Sequence, residues 1–195
     1  MLGEWGFRRL TLKTDNRALV PRPETESVVA RALALIADLA EPRVLDIGVG
    51  SGAIALAIAD EHSGARVVGI DTSVAALELA RENASLLGLD LELREGGSEV
   101  AAEGWDLVVS NPPYVGQSAL TTLQPELAWE PRAALVEAGL HEEIARRAAT
   151  RWLVFEVGDD QAESVAGVLR ALEYADVTIT PDLSGRARVV EGRRS

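Results

Sequence analysis

The sequence predicts an α/β domain of the doubly wound kind: a seven-stranded, mostly parallel sheet with helices on both faces, closed by a C-terminal antiparallel hairpin. Three observations predict it. Short runs rich in Val, Ile and Leu alternate with longer Ala- and Leu-rich segments of helical period, which is the pattern of βαβ units around a buried parallel sheet. A glycine-rich turn joins the first of these runs to the helical segment that follows it. After the last helical segment the pattern changes to two strand-like runs separated by a short turn.

Taken in order, PETESVVARALALIADLA (23–40) is expected to be a helix with Pro23 in its first turn and Glu24 and Glu26 placed against the positive end of the helix dipole. RVLDI (43–47), RVVGI (66–70), LELR (91–94), WDLVVS (105–110) and WLVFEV (152–157) read as strands. Between them AIALAIADEH, SVAALELARENASLL and DDQAESVAGVLRAL read as helices, the second beginning at Ser73, a good N-cap. ADVTITPD and ARVVEG, joined through Ser184-Gly185, complete the sheet as a hairpin. With 195 residues, 47% of them hydrophobic, the chain is expected to form one domain, with 1–20 an N-terminal extension and 21–195 the core.

Composition limits the chemistry. There is no cysteine, and the only histidines are His62 and His141, so neither a disulfide framework nor a thiolate or imidazole metal site is expected, and no metal is assigned. A reducing compartment fits, and neither a signal peptide nor a membrane span is read, so a cytoplasmic protein is expected. The formal charge of -12 repels a phosphate backbone, which disfavours nucleic-acid partners. Arg186, Arg188, Arg193 and Arg194 are the local exception and read as a solvated edge. The histidines read as surface residues, and Trp5, Trp105, Trp129 and Trp152 as core or near-core packing.

VLDIGVGSGAIALAIA is a strand, a loop from Gly48 to Gly52 (Gly48-Val49-Gly50-Ser51-Gly52) and a helix, so a ligand can approach the backbone closely. Asp71 follows 23 positions after Gly48, with Thr72 next to it, where a carboxylate can accept both ribose hydroxyls of an adenosine. A tight strand–helix turn would explain the loop alone, and the loop with Asp71 also satisfies the dinucleotide fingerprint. Three features favour S-adenosylmethionine over NAD: Asp46 two residues before the first glycine, the additional Gly52, and a terminal hairpin in place of a second mononucleotide half.

In LVVSNPPYVG the dipeptide Pro112-Pro113 follows a buried strand. The prolines fix φ and disfavour helix before them, so the chain leaves the strand as a stiff extended turn whose carbonyls remain free to accept. A planar NH2 group carries two hydrogens in fixed directions, and the Asn111 side-chain oxygen and the Pro112 carbonyl can take one each while Tyr114 covers its flat face. That arrangement suits methylation of an amide or exocyclic amine, a poor nucleophile that needs orientation more than a general base.

Together VPRPETE (20–26), VLDIGVGSGAIALAIA (44–59), WDLVVSNPPYV (105–115), EPRAAL (130–135), FEVGDDQ (155–161) and DLSGRARVV (182–190) resemble the peptide-chain release factor glutamine N5-methyltransferases. The resemblance implies a Rossmann-like class I methyltransferase fold. It implies S-adenosylmethionine held at Gly48–Gly52 and Asp71, with Asp46, Thr72, Ser98 and Asn111 in the same site. It also implies a release-factor glutamine, within a GGQ motif, held by Asn111, Pro112, Pro113 and Tyr114 and bordered by Arg22, Glu24 and Glu26. NPPY alone is shared with adenine and cytosine amino-methyltransferases, so methylation of adenine in DNA or RNA is the enzymatic alternative, and a non-catalytic cofactor-binding scaffold for a partner is the alternative of another class. The sequence departs from the family at three places: the segment 1–20 stands where bacterial members carry a helical domain, no GGxDG stretch follows EPRAAL, and REGGSE replaces the acid common after the third strand, leaving Gly97 or Ser98 beside the adenine. A compact relative without the helical domain works with a small zinc-binding protein, so the resemblance also admits a small activating partner subunit.

Overall fold

The computed structural model describes residues 3–112 and 139–194. The elements are β1 (Glu4–Phe7), β2 (Leu10–Lys13), α1 (Thr25–Ile36), β3 (Arg43–Ile47), α2 (Ala53–Glu61), β4 (Arg66–Asp71), α3 (Val74–Leu87), β5 (Glu92–Glu95), β6 (Trp105–Ser110), α4 (Leu140–Arg147), β7 (Thr150–Glu156), α5 (Ala162–Ala171), β8 (Ala175–Pro181) and β9 (Ala187–Arg193). A seven-stranded sheet runs in the order β5-β4-β3-β6-β7-β9-β8. The first five of these pair in parallel, and β9 lies antiparallel to both β7 and β8. This is the sheet expected from the sequence, with β6 beside β3, so that Ser110 and Asn111 emerge next to the glycine loop.

Strand alternation divides the core into two layers. Val44, Leu107, Val109 and Val154 face α1, α2 and α3. Leu45, Ile47, Val108, Leu153 and Phe155 face α4 and α5. Because both faces are covered, the central strands are apolar at nearly every position, and each fully buried Leu, Ile or Phe contributes about 1.5–3 kcal/mol of transfer free energy. The terminal hairpin turns at Gly185, whose φ of 83° is left-handed, while Asp182 Oδ1 accepts from Ser184 N, Ser184 Oγ and Arg186 N at 2.8, 2.7 and 3.0 Å.

Several expectations change. The N-terminal segment contributes the β1–β2 hairpin, whose turn carries no glycine or asparagine signal; Arg8 takes it with φ of 49°. The cost of that left-handed residue is offset by bonds from Arg8 N to Glu26 Oε1 (2.9 Å), from Nη1 to the Glu26 carbonyl (3.1 Å) and from the guanidinium to Glu61. The first long helix begins at Thr25, so Pro23 sits in the preceding turn. Trp5 is 40% exposed because the hairpin leaves one face uncovered, whereas Trp105 is buried and Trp152 packs on the core; Trp129 lies outside the described residues. His141 is not a surface residue: its ring is buried edge-on against Phe155, with Nε2 3.0 Å from the Glu156 carbonyl. Nor is Arg188 solvated; it is buried, donating to the Val157 carbonyl at 2.9 Å and to Asp159 at 2.7 Å.

One small residue links this packing to the loop above it. A Cβ on Gly69 in β4 would lie 2.6 Å from Val49 Cγ2 and 3.0 Å from Leu93 Cδ2. Gly69→Ala is therefore expected to lower the stability measured by urea unfolding by about 1–3 kcal/mol, because a stiff valine must move to make room.

Candidate active site

A cavity of about 410 Å³ opens at the carboxyl ends of β3, β4 and β6, where a doubly wound sheet places its ligands. Its floor is the loop Gly48–Ser51 with Ala53 and Ile54, its sides are Asp71–Ser73 and Gly96–Glu99, and Asn111 and Pro112 stand opposite. Ser110 Oγ donates to the Ile47 carbonyl at 2.7 Å, fixing the end of β6 against the end of β3.

Gly48, Gly50 and Gly52 have φ of 75°, 54° and 88°, backbone that only glycine adopts cheaply. The N–H groups of Gly48 and Val49 both donate to the Ile70 carbonyl (2.9 and 2.8 Å), Gly50 N donates to Asp71 Oδ2 (3.0 Å) and Gly52 N to the Val49 carbonyl (2.8 Å). Four donors that could cradle a pyrophosphate are thus engaged within the protein. What the loop offers instead is close approach: nothing lies within 4 Å of where a Gly48 Cβ would be. Gly52 does not line the cavity; it turns the chain into α2.

The electrostatics point the same way. Asp46, near the end of β3, is buried against the first turn of α2, with Oδ2 accepting from Ala55 N at 3.1 Å and Oδ1 without a hydrogen-bond partner among the described residues. Burial pushes its carboxyl up to about 7, the Asp71 charge pushes the same way, and the Ala55 N–H opposes them. Two acidic side chains beside the loop would repel a pyrophosphate and favour a cationic ligand. Asp71 Oδ1 accepts from Ser73 N at 2.9 Å, yet each of its oxygens keeps capacity for a further donor, such as a ribose hydroxyl. An adenosine carrying a sulfonium and an ammonium group therefore fits the residues present: Asp71 for the ribose, Gly48–Gly50 for close packing, and the orphan Asp46 oxygen for positive charge.

The other expected residues are distributed as follows. Val49, Ser51, Thr72 and Ser98 line the cavity, and Ser98 Oγ donates to Glu143 Oε1 at 2.6 Å. Asn111 Nδ2 lies 3.5 Å from Thr25 Oγ1, at the outer limit of a hydrogen bond. Arg22 lines the cavity, whereas Glu24 and Glu26 are not among its lining residues and Glu26 is bonded to Arg8. Pro113 and Tyr114 lie outside the described residues, as does EPRAAL.

Sequence reasoning missed Thr25, Glu143 and, from the segment before α1, Arg17, Ala18, Leu19 and Pro21, all of which line the cavity. Thr25 stood within VPRPETE, quoted for its charges and its proline. Glu143 comes from a different helix, α4, and no local pattern linked it to Ser98.

The family model for the methyltransferase small domain matches residues 29–148. Curated relatives named release factor glutamine methyltransferase include one from Fusobacterium nucleatum, 36% identical over 209 residues, with 100% of this chain covered and only 59% of the relative's own length. Another from Xylella fastidiosa is 39% identical, with 99% of this chain and 74% of the relative covered. One from Deinococcus radiodurans is 41% identical, with 98% and 72% covered. Among solved structures, the hMettl16 catalytic domain in complex with a hairpin of the MAT2A 3'UTR aligns with a TM-score of 0.75 at 15% identity, over 93% of this chain and 74% of that one. Magnesium protoporphyrin IX methyltransferase from Synechocystis with bound SAM aligns at 0.60 and 20% identity, over 88% and 78%. At these identities the structures show a shared fold.

The raised Asp46 carboxyl has a measurable consequence. Between about pH 4 and pH 7 the folded protein holds a proton that the unfolded chain has released, so this group's contribution to stability is full at low pH and is lost as pH rises through about 7. In urea unfolding at pH 5 and pH 8, the wild type is expected to lose more stability across that interval than Asp46→Asn, which cannot titrate.

Proposed function

The chain belongs to the release factor glutamine methyltransferases, within the methyltransferase small domain family, and from that premise we propose that it methylates the side-chain amide nitrogen (N5) of the glutamine in the GGQ motif of a peptide-chain release factor, with S-adenosylmethionine as donor. The observation that carries this reading is the position of Asn111. It follows Ser110, the last residue of β6, which pairs with Ile47 at the end of β3, and it borders the same cavity as the glycine loop, Asp46 and Asp71.

When bound, S-adenosylmethionine supplies a methyl group already activated by its sulfonium. Gly48 and Gly50 give the ligand a surface without side chains, and Asp71 accepts from its ribose. Asn111 Oδ1, whose amide nitrogen is turned to Thr25, accepts one hydrogen of the substrate amide, and the Pro112 carbonyl accepts the other. Those two acceptors hold the flat NH2 so that the nitrogen lone pair points along the floor of the cavity. Their attraction strengthens as positive charge develops on nitrogen, so the help is greater in the transition state than in the ground state. No prior deprotonation is required, and one of the two held protons passes to solvent water once the nitrogen, carrying the new N–C bond, has become more acidic. Arg22 lines the same cavity and in this reading borders the path of a loop of the protein substrate.

The net charge of -12 disfavours a nucleic-acid substrate and fits a protein one. Residues 21–195 constitute the catalytic core of this reading, and the protein works in the cytoplasm, where release factors are found. Among the described residues no helix is long and apolar enough to cross a membrane. A small activating partner subunit is a further part of this proposal.

The test is to mix the protein, methyl-labelled S-adenosylmethionine and recombinant release factors, and locate the label by peptide mass spectrometry. Label on the GGQ glutamine supports the reading; label only on nucleic acid, or nowhere, contradicts it. Asn111→Ala is expected to lower the methylation rate about 10²–10³-fold, the scale of losing one oriented group that stabilises developing charge, while the affinity for S-adenosylhomocysteine changes far less.

A further inference from the structure

Asn83 lies in the last third of α3, is 1% exposed, and does not line the cavity. A buried carboxamide in a helix interior costs stability unless its polar atoms are matched. Here they are matched by two distant segments. Nδ2 donates to the Ser51 carbonyl at 2.8 Å and to the Lys13 carbonyl at 3.1 Å, and Oδ1 accepts from Lys13 N at 2.8 Å. Both hydrogens and the oxygen are therefore in use, and only an amide of this length satisfies two carbonyls and one N–H together.

Each partner has a mechanical meaning. The Ser51 carbonyl and the Gly52 N–H belong to one rigid peptide plane, and that N–H already donates to the Val49 carbonyl, so Asn83 fixes the far side of the same plane. Lys13 directs both of its backbone groups at Asn83 and closes the outer edge of β2. The chain then continues through Asp15 and Arg17 to Ala18, Leu19 and Pro21, which form one wall of the cavity. That wall is tied to the same helix: the Arg17 guanidinium meets Glu82 Oε1 and Oε2, each at 2.8 Å, and Ala18 packs with Ala76 and Leu79. Ala18 Cβ also lies 3.8 Å from where a Gly50 Cβ would be, so the wall rests on the loop.

We infer that Asn83 is a positioning residue for the cofactor loop, one carboxamide that locks the glycine loop and the N-terminal hairpin, with the wall it leads to, into a single unit. The inference rests on the reading that the cavity holds S-adenosylmethionine. Loosening the hairpin should then loosen the loop, and the reverse, without any change in residues that touch the ligand.

The experiment uses the full chain. Amide hydrogen exchange by NMR is followed at Gly50, Gly52 and Lys13 in wild type, Asn83→Ala and Asn83→Asp without ligand, and the Kd for S-adenosylhomocysteine is measured by calorimetry. Leaving buried carbonyls unmatched is expected to weaken binding on the order of tenfold in Asn83→Ala, and at least as much in Asn83→Asp, which sets a carboxylate against two carbonyls. Exchange at the loop and at Lys13 should accelerate together while β3 and β6 amides stay protected. An unchanged Kd in folded Asn83→Ala, or exchange that rises at only one of the two segments, overturns the inference while leaving the cofactor reading intact; a wild type that does not bind S-adenosylhomocysteine overturns both. If Asn83→Ala does not fold, Lys13→Pro takes its place, read against Lys13→Ala: both remove the side chain that pairs with Glu82, and only the proline also removes the N–H that Oδ1 accepts. The same joint acceleration and loss of affinity are expected of Lys13→Pro relative to Lys13→Ala, their absence being decisive against the inference.

Discussion

The site depends on how closely the ends of β3 and β4 approach each other. The Ile70 carbonyl takes two N–H groups from the glycine loop, and Asp71 takes a third, so the loop folds back onto the neighbouring strand instead of projecting into the cavity. That closeness requires missing side chains: Gly69 beneath Val49, and left-handed glycines at 48, 50 and 52. The result is a floor that is already formed, with its donors satisfied internally and one surface left bare. A ligand that needs contact area more than phosphate-binding N–H groups suits such a floor.

Acidic side chains then select the sign of the ligand. Asp46 is held at the boundary between charged and neutral because burial opposes ionisation and little compensates it. A cation placed beside its orphan oxygen would both satisfy that atom and favour the carboxylate, so ligand charge and carboxyl ionisation support each other. In the proposed reading Asn111, on the other side of the cavity, works by geometry, since a carboxamide cannot remove a proton but can fix the direction of one. The division of labour is consistent with a reaction whose electrophile is activated before it arrives.

Much of this was legible in the sequence because the signals were local. Five parallel strands, the loop, Ser73 as an N-cap and the turn at Gly185 each follow from residues within a few positions of one another. The hairpin at β1 and β2 was not legible, because its turn is made by Arg8 and held by Glu26 and Glu61, whose side chains are brought to it only by the fold. The same holds for His141 and Arg188, polar residues whose burial is tolerated because a carbonyl from β7 or the segment just after it meets each one. Within the cavity, glycines and carboxylates at motif spacing were visible, whereas Thr25 and Glu143 reach it from α1 and α4 and carry no spacing that marks them.

The central claim is that Asn111 and Pro112 hold a flat amide beside the glycine loop. A crystal structure with S-adenosylhomocysteine and a Gly-Gly-Gln peptide tests it most directly. The account predicts the glutamine nitrogen within about 2.7–3.2 Å of both Asn111 Oδ1 and the Pro112 carbonyl, facing the sulfur. A glutamine bound elsewhere, or an Asn111 carboxamide turned out of the cavity when both ligands are present, would contradict it.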